Sequence, residues 1–307
     1  MNRITQRALV AGVVVGVALS MVAVDAGAAA TPAPTGVGIR TGAAPRPDHV
    51  VIVMLENKRY DSVVGNPRAR WVSSLAKSSA NLRRFYGETH PSQPNYMALF
   101  SGSTHGVTDN KCPHHFGNRP NLASQLLSHG YSFTGYAEDL PRKGFTGCSY
   151  RRYVRRHTPW VNFSNVPASA SRPYTKFPRD FRKLPTVSFV IPNLCHDMHD
   201  CPKQRADAWL KKQFGAYVAW ARKHNSLFVL TFDEDNRTGD NHIPTIVAGA
   251  GVRPGRYGTR LDHYDLLRTL QHMYGLRPIG ASARRRGLPD IWTSAKGGNA
   301  VAARPNV

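Results

Sequence analysis

Three short and almost uninterrupted apolar runs constrain the fold of this chain most strongly. They are HVVIVML at 49–55, TVSFVI at 186–191 and SLFVLTF at 226–232. A run of this length without polar alternation is typical of a strand that is buried on both faces. Such strands occur mainly in parallel sheets, which carry helices on both sides. The sequence therefore predicts an α/β fold with a mostly parallel central sheet and helices on both faces.

Helical patterns lie between these runs, as crossovers between parallel strands require. We predict helices at 71–80, 95–100, 122–128, 205–224 and 262–274, and further strands at 84–86, 131–137 and 243–248. The alternation places one domain at 48–280. An Ala, Pro, Thr and Gly-rich linker (31–47) precedes it, and we expect the basic tail (281–307) to be flexible.

The first 30 residues have the pattern of an export signal. Arg3 and Arg7 precede an apolar stretch at 9–24, and Ala28-Ala29-Ala30 offers a cleavage site. We predict a cleaved signal peptide and a secreted protein. The alternative is a membrane anchor, but the apolar stretch is short and polar residues follow directly. No later stretch is apolar enough to span a bilayer, so we expect no transmembrane anchor after cleavage.

The four cysteines of the chain suggest two disulfides, because their number is even and the protein is predicted to be exported. Three pairings are possible, and we favour Cys112–Cys148 with Cys195–Cys201. The spacing does not match a zinc ribbon.

The chain is strongly basic, with 41 Lys and Arg against 19 Asp and Glu and a formal net charge of +22. Such a charge favours anionic partners, such as phosphate esters or an anionic surface or polymer. No nucleic-acid recognition motif is present, so we expect no specific nucleic-acid binding. A basic segment holds Arg151, Arg152, Arg155 and Arg156, and it is either a steering surface for anionic substrates or a solvated loop.

Polar residues follow each of the three apolar strands. Glu56 and Asn57 come after the first strand, residues 193–200 after the second and residues 233–236 after the third. The carboxyl ends of parallel strands meet at one edge of a sheet. Carboxylates crowded at that edge repel one another, and a divalent cation relieves the repulsion. The pattern therefore predicts a metal site at this edge.

A fourth segment, GETHPSQPNYMALFSG at 87–102, leads into a predicted helix. A hydroxyl at a helix N-terminus lies in a field that favours anions, and a bound metal lowers the pKa of such a hydroxyl. Ser92 is the preferred nucleophile and Thr89 the second choice. The alternative is that Ser92 only caps the helix.

These motifs together resemble the bacterial phosphoesterase family that contains acid phosphatases and phospholipases C, within the alkaline phosphatase superfamily. The resemblance covers about 48–277 and rests on VIVMLENKRYDSVVGN, ETHPSQPNYMALFSGSTHG, PNLCHDMHDC, TFDEDN, HIPTIVAGAGVRPG and HYDLLRTLQHMYGL. It implies an alkaline-phosphatase-like fold and a hydrolase acting on phosphoric ester bonds with one or two divalent metal ions.

The resemblance also implies roles for individual residues. Ser92 falls where the superfamily places its nucleophile, Glu56 resembles the acidic metal ligand of the first strand, and Asn57 its partner for metal or phosphate. Asp233 and Glu234 fall on a metal-binding pair that is Asp-His or Asp-Asp in relatives, so Glu234 departs from the pattern.

Further roles are predicted for the later histidines and their neighbours. His263 resembles a late histidine that binds metal or phosphate, and Asp197 lies in a segment that supplies further metal ligands. We expect His196 or His263 to protonate the leaving alcohol and assign His242 to substrate binding. We interpret His90 and the other loop histidines as surface or structural residues.

Three functions remain open at this point. An acid-phosphatase-like phosphoesterase is preferred, while phospholipase C or phosphodiesterase activity on the same core and a non-catalytic binder of anionic polymer are alternatives. A sulfatase is disfavoured because Ser92-Gln-Pro-Asn-Tyr lacks the Arg of the sulfatase motif. Oxygen ligands suit Mg²⁺, Mn²⁺ or Ca²⁺ and histidines suit Zn²⁺, so the identity of the metal stays open.

Overall fold

A computed structural model describes residues 44–293, and its centre is one mixed β-sheet. The strands are β1 (His49–Leu55), β2 (Ala80–Tyr86), β3 (Phe133–Ala137), β4 (Ser149–Tyr150), β5 (Tyr153–Val154), β6 (Ser171–Pro173), β7 (Val187–Ile191), β8 (Ser226–Phe232), β9 (His242–Ile243), β10 (Ile246–Gly249) and β11 (Gly255–Asp262). The α-helices are α1 (Tyr60–Val63), α2 (Arg70–Lys77), α3 (Ser92–Ser101), α4 (Leu122–Ser128), α5 (Lys203–Ala221) and α6 (His263–Met273).

The strand order of the central sheet is β11-β2-β10-β8-β1-β7-β3-β6, and β9 pairs with β2. β1 lies between β7 and β8 and is parallel to both. β3 is parallel to β7 and to β6. β10 is antiparallel to β8 and β2, and β9 is antiparallel to β2. The prediction of a mostly parallel sheet is confirmed, and the carboxyl ends of β1, β7 and β8 meet at one edge.

The helices cover both faces of this sheet. Every residue from Val50 to Leu55 on β1 is fully buried, and β8 is buried along its whole length. Each such aliphatic side chain contributes about 1.5–3 kcal/mol relative to an exposed one. Helices α2 and α5 pack together, α2 against β2 and β10 and α5 against β8 and β10, while α3 packs against α4 and α6. The predicted α/β layering is confirmed.

Two predicted helices begin next to residues whose side chains cap them. The Asn121 side chain accepts a hydrogen bond from the Ser124 N–H at the start of α4. Asp262 accepts from the Asp265 N–H at the start of α6. The helix predicted at 95–100 begins three residues earlier, at Ser92.

Several strand boundaries differ from the sequence prediction. The strand predicted at 243–248 is two strands, β9 and β10, because Pro244 has no N–H to donate to a ladder. The strand predicted at 84–86 extends back to Ala80. Strand β11 was not predicted, since half of its residues are exposed at the edge of the sheet and it contains no apolar run.

The ordered chain also continues past the boundary that we predicted at 280. Ile291 and Trp292 are buried, and Trp292 forms an antiparallel bridge with Val252. Residues 281–293 therefore pack on the domain and do not form a flexible tail, because two large apolar side chains anchor them. The predicted signal peptide (1–30), most of the predicted linker (31–47) and the end of the predicted tail lie outside the described residues.

Both disulfides have the pairing that we favoured. Cys112 bonds Cys148 and Cys195 bonds Cys201, with Cα–Cα distances of 5.8 and 4.6 Å. From residue 44 to residue 293, we find no helix that combines the length and apolar character needed to cross a membrane.

Candidate active site

Glu56 follows β1 directly and is fully buried. Its Oε2 atom accepts a hydrogen bond from the Ser92 hydroxyl at 3.0 Å and another from the Asn57 side-chain amide at 2.8 Å. Its Oε1 atom accepts from the Tyr96 hydroxyl. Glu56 therefore links the end of β1 to the first turn of α3.

Asp233 and Glu234 follow β8, the strand next to β1. Asp233 Oδ1 accepts a hydrogen bond from the Asn57 N–H at 2.9 Å. Glu234 Oε1 lies 3.4 Å from the Ser92 hydroxyl. Five side chains that the sequence singled out thus lie together, and Ser92 Oγ is in contact with carboxylates from two strands.

Ser92 is the first residue of α3, and the loop before it is held by Asn95. The Asn95 Oδ1 atom accepts from the N–H groups of Glu88 and Thr89 at 2.8 and 3.1 Å, and its amide donates to the Thr89 carbonyl at 2.8 Å. The Thr89 hydroxyl donates to the His90 carbonyl. Thr89 is therefore engaged in the loop, whereas the Ser92 hydroxyl faces the carboxylates.

Asp197 and His157 extend the site toward the end of β7. The Glu56 N–H donates to the Asp197 carbonyl at 2.8 Å. His157 Nε2 lies 3.2 Å from Glu56 Oε1, and His157 Nδ1 lies 3.7 Å from Asp197 Oδ2. One donor atom from each of these three residues lies within 4.8 Å of the others. Glu56, His157 and Asp197 can therefore hold a metal ion.

Buried polar atoms at the site lack hydrogen-bond partners. Among the residues of 44–293, Asp233 Oδ2, Asp197 Oδ2 and His157 Nε2 are buried without one. An unpaired buried carboxylate oxygen is costly unless a cation or a donor satisfies it. The donor set of carboxylates with one imidazole is one that divalent cations bind. The side chains present therefore fit a divalent metal.

We refer to Glu56, Asp197, Asp233 and Glu234 as the carboxylate cluster. Burial raises the pKa of Glu56 and of Asp197 well above the usual range, and the charge of Asp233 adds to both shifts. Burial raises the pKa of Asp233 to about 6. Burial and the charge of Asp233 raise the pKa of Glu234 to about 8. Burial is the largest cause of each shift, because it disfavours the charged form of the carboxyl group.

These shifts predict the pH dependence of stability in the metal-free protein. Burial raises the pKa of Glu88 to about 8, as for Glu234. Both carboxyl groups hold protons in the folded state that they lose in the unfolded state, so stability falls as pH rises through 8. Burial lowers the pKa of His157 and of His263, so both histidines are neutral in either state above pH 7 and do not oppose this trend.

We expect the free energy of unfolding to fall by on the order of 1–2 kcal/mol between about pH 7 and about pH 8.5 after chelation. Urea unfolding at several pH values measures it. Saturating divalent metal is the control, and it should reduce the slope because the cation stabilises the ionised carboxylates. A stability that rises over this interval in the chelated protein would contradict these charge assignments.

His263 is fully buried at the first position of α6. Its Nε2 atom lies 2.9 Å from the carbonyl of Phe232, which directly precedes Asp233. That contact requires a proton on Nε2, so Nδ1 is unprotonated, and Nδ1 is buried without a partner in the described part of the chain. Burial lowers the pKa of His263 to about 4, which keeps the ring neutral. The Nδ1 atom of His263 is therefore suited to bind a metal ion or to accept a hydrogen bond.

The structure places His196 and His242 in other surroundings than predicted. His196 Nδ1 lies 2.9 Å from Glu138 Oε2, and its ring stacks on Trp209 at 5.3 Å. His242 stacks on Tyr60 at 4.9 Å, and its Nε2 atom lies 2.6 Å from the Arg83 carbonyl. Both rings are committed to packing and hydrogen bonds outside the carboxylate cluster. We therefore do not retain His196 as a proton donor or His242 as a substrate ligand.

Three residues at the site were not singled out from the sequence. Tyr96 stacks on His157 at a centroid distance of 4.9 Å. His90 Nδ1 lies 2.8 Å from Glu234 Oε2, although we interpreted this histidine as surface or structural. The position of His90 two residues before Ser92 was an available signal. His157 lies on a short 3-10 turn in the basic segment, and no pattern marked it.

The sheet order and the acidic edge define the class of this protein, an α/β fold with a mostly parallel sheet and carboxylates at the ends of its central strands. A protein from Vibrio parahaemolyticus that is described as a member of the alkaline phosphatase superfamily superposes with a TM-score of 0.53 at 14% identity, over 85% of this chain and 72% of that chain. The lipoteichoic acid synthase LtaP from Listeria monocytogenes superposes with a TM-score of 0.50 at 13% identity, over 82% and 77%. These similarities show the fold.

The chain belongs to the phosphoesterase family, whose model matches residues 68–277. A phosphatidylinositol-3-phosphatase from Mycobacterium tuberculosis is 49% identical over 258 residues, which cover 83% of this chain and 86% of the relative. A probable acid phosphatase from Kluyveromyces lactis is 30% identical over 75% of this chain, which spans 58% of that relative's length. The predicted family is confirmed, and the protein is a hydrolase of phosphoric ester bonds.

Proposed function

We propose that the protein is a secreted, metal-dependent phosphomonoesterase of the acid phosphatase type, with Ser92 as its nucleophile. One observation carries the proposal. The Ser92 hydroxyl lies buried at the start of α3, 3.0 Å from Glu56 and 3.4 Å from Glu234. A hydroxyl surrounded by carboxylates has bases to take its proton, and it lies where a cation bound by the same carboxylates would activate it.

Two overlapping groups of residues would hold the metal. The first group is Glu56, Asn57, Asp233 and Glu234, and the second is Glu56, His157 and Asp197. Since Glu56 is common to both, the arrangement suits one ion or a pair of neighbouring ions. A bound divalent ion supplies charge neutralisation for the phosphate oxygens and lowers the pKa of the Ser92 hydroxyl.

The reaction proceeds in two displacements in this proposal. Ser92 Oγ attacks phosphorus and forms an O–P bond while the bond between phosphorus and the alcohol oxygen breaks. The Ser92 proton passes to a contacting carboxylate, Glu56 or Glu234. A water molecule then attacks the phosphoserine, phosphate leaves, and Ser92 Oγ regains a proton.

His90 is the residue we propose as proton donor to the leaving alcohol, in place of His196. Its side chain is 26% exposed, and it contacts Glu234 at 2.8 Å and Asp235 at 3.3 Å. The ring therefore lies between the carboxylate cluster and solvent. This position allows His90 to exchange protons with water and to pass one toward the site.

The substrate class follows from the relatives. The Mycobacterium tuberculosis relative is named as a phosphatase of a phosphorylated inositol lipid, and the fungal relatives are named acid phosphatases. All of these names indicate phosphate monoesters. We therefore place monoesters before the diesters that a phospholipase C or phosphodiesterase would cleave. The two disulfides and the N-terminal signal pattern support secretion.

Release of p-nitrophenol tests this function. We expect the purified protein to hydrolyse p-nitrophenyl phosphate faster than bis(p-nitrophenyl) phosphate, and chelation to lower the rate by about two orders of magnitude or more. Added divalent metal should restore the activity. Faster diester cleavage would favour the phosphodiesterase alternative. No metal-dependent turnover of either compound over a broad set of metals and pH values would favour a non-catalytic binder of anionic polymer.

A further inference from the structure

A cavity of about 870 Å³ lies beyond the carboxyl ends of β3 and β6, apart from the carboxylate cluster. Five of its lining side chains are cationic, namely Arg142, Lys143, Arg151, Arg172 and Lys176. Two tyrosines, Tyr150 and Tyr174, also line it. We call this space the basic cavity. Its volume is within the range of small-molecule binding sites.

The five cations of the basic cavity outnumber the two carboxylates of its wall. In the chain from 44 to 293, none of the five cations forms a salt bridge with Asp or Glu. The two acidic residues of the wall are engaged elsewhere. Glu138 contacts His196 at 2.9 Å and accepts from the Asn193 N–H at 3.1 Å, and Asp139 accepts from the Asn193 amide at 2.8 Å. Unpaired cations around a concave space form a site for anions.

One wall of the basic cavity is rigid. Tyr174 packs on Trp209 at 5.4 Å and on Phe177 at 5.5 Å, and its hydroxyl donates to Gln213 at 3.3 Å. Arg172 lies on β6, and its Nε–H donates to the Ser169 carbonyl at 3.1 Å. The aromatic packing therefore fixes the position of Tyr174, while the exposed Arg172 side chain is held by its hydrogen bond to Ser169.

The loop that follows β7 contacts both the wall of the basic cavity and the carboxylate cluster. Asn193 donates its N–H to Glu138 on the cavity wall, and its carbonyl accepts from the Asp197 N–H at 2.9 Å. Asp197 belongs to the carboxylate cluster. Since β3, β6 and β7 are parallel, the basic cavity opens at the same sheet edge as Ser92.

We propose that the basic cavity binds a second phosphate group of a multiply phosphorylated substrate while the first phosphate reacts at Ser92. This inference rests on the proposed function. Phosphate matches the site because arginine and lysine donors bind its oxygens in charge-assisted hydrogen bonds. The protein then distinguishes bisphosphorylated from monophosphorylated esters by KM.

The double variant Arg142→Gln/Arg172→Gln tests the proposal, with fructose 1,6-bisphosphate and p-nitrophenyl phosphate as probes. We expect KM for the bisphosphate to rise about tenfold with kcat unchanged. KM for p-nitrophenyl phosphate should change by less than about twofold. The exposed pair Lys143→Gln/Lys176→Gln should shift the bisphosphate KM in the same direction, which guards against a folding defect in the first variant.

A matched control removes two positive charges near β11, the terminal strand of the sheet on the side opposite to β6. Lys77 and Arg256 are exposed on α2 and β11, and Lys77→Gln/Arg256→Gln should leave the ratio of the two KM values as in the wild type. An equal shift in the control would overturn the proposal, because long-range charge alone would then explain the effect.

Calorimetric binding of fructose 1,6-bisphosphate separates this proposal from the catalytic one. If the wild type turns over neither probe, the proposed function fails, but binding that weakens in Arg142→Gln/Arg172→Gln and not in the control still supports the basic cavity. If binding is the same in both double variants, the basic cavity is not a phosphate site, whatever the activity.

Discussion

Replacing Ser92 by alanine is expected to lower kcat for p-nitrophenyl phosphate by a factor on the order of 10⁴ or more. The variant lacks the attacking oxygen of Ser92. The Thr89 hydroxyl donates a hydrogen bond to the His90 carbonyl and cannot replace that oxygen without rearrangement of the loop. The fold should persist, because Glu56 keeps its hydrogen bonds from Asn57 and Tyr96. Steady-state kinetics, metal content and thermal unfolding measure the three effects separately.

Ser101→Ala is the matched control for this variant. Ser101 is buried in the same helix, and its hydroxyl donates to the Met97 carbonyl at 2.8 Å, away from the carboxylate cluster. We expect it to retain most of the activity. Near-normal turnover of Ser92→Ala would show that Ser92 is not the nucleophile. The double variant Ser92→Ala/Thr89→Ala would then test whether Thr89 takes this role or whether the reaction uses neither hydroxyl.

Asp233→Asn is expected to weaken the binding of divalent metal by about two orders of magnitude or more, with a matching loss of activity at limiting metal. Asp233 is fully buried. Its Oδ1 atom accepts a hydrogen bond from the Asn57 N–H, and its Oδ2 atom has no hydrogen-bond partner within residues 44–293. The amide keeps the shape of the side chain but removes its charge. Elemental analysis and metal titration measure the loss.

The same variant should have the opposite effect on the protein without metal. Removing one negative charge from the carboxylate cluster relieves repulsion with Glu56 and Asp197, so the chelated variant should unfold at an equal or higher temperature than the chelated wild type. Asp180→Asn is the control, since Asp180 pairs with Arg182 at the surface. Unchanged metal content in Asp233→Asn would contradict the role of this residue.

The central strands were predictable because their sequence pattern has one physical cause. Runs such as SLFVLTF, with apolar side chains at nearly every position, are typical of strands that are covered on both faces, and β8 matches its predicted bounds, Ser226–Phe232. The edge strand β11 was not predictable in this way. Half of its residues are exposed and it lacks an apolar run, so its pairing with β2 depends on tertiary contacts that a single sequence does not display.

The same distinction applies to the candidate site. Glu56, Ser92 and Asp233 could be placed together because strand ends and a helix start converge by topology. His157 could not be placed, since it lies on an irregular segment whose tertiary packing, including the stacking of His157 on Tyr96, brings it to the site. His196 is no longer our proposed proton donor for a related reason. It is adjacent to Asp197 in sequence, but the two side chains face different partners, Glu138 and the carboxylate cluster.

A crystal structure of the metal-loaded protein with vanadate tests the central claim most directly. The account predicts vanadium bonded to Ser92 Oγ, with Glu56 and Asp233 coordinating a cation next to it and His90 on the side of the leaving oxygen. Vanadate bound away from Ser92, or a cation held without Glu56 and Asp233, would contradict the account.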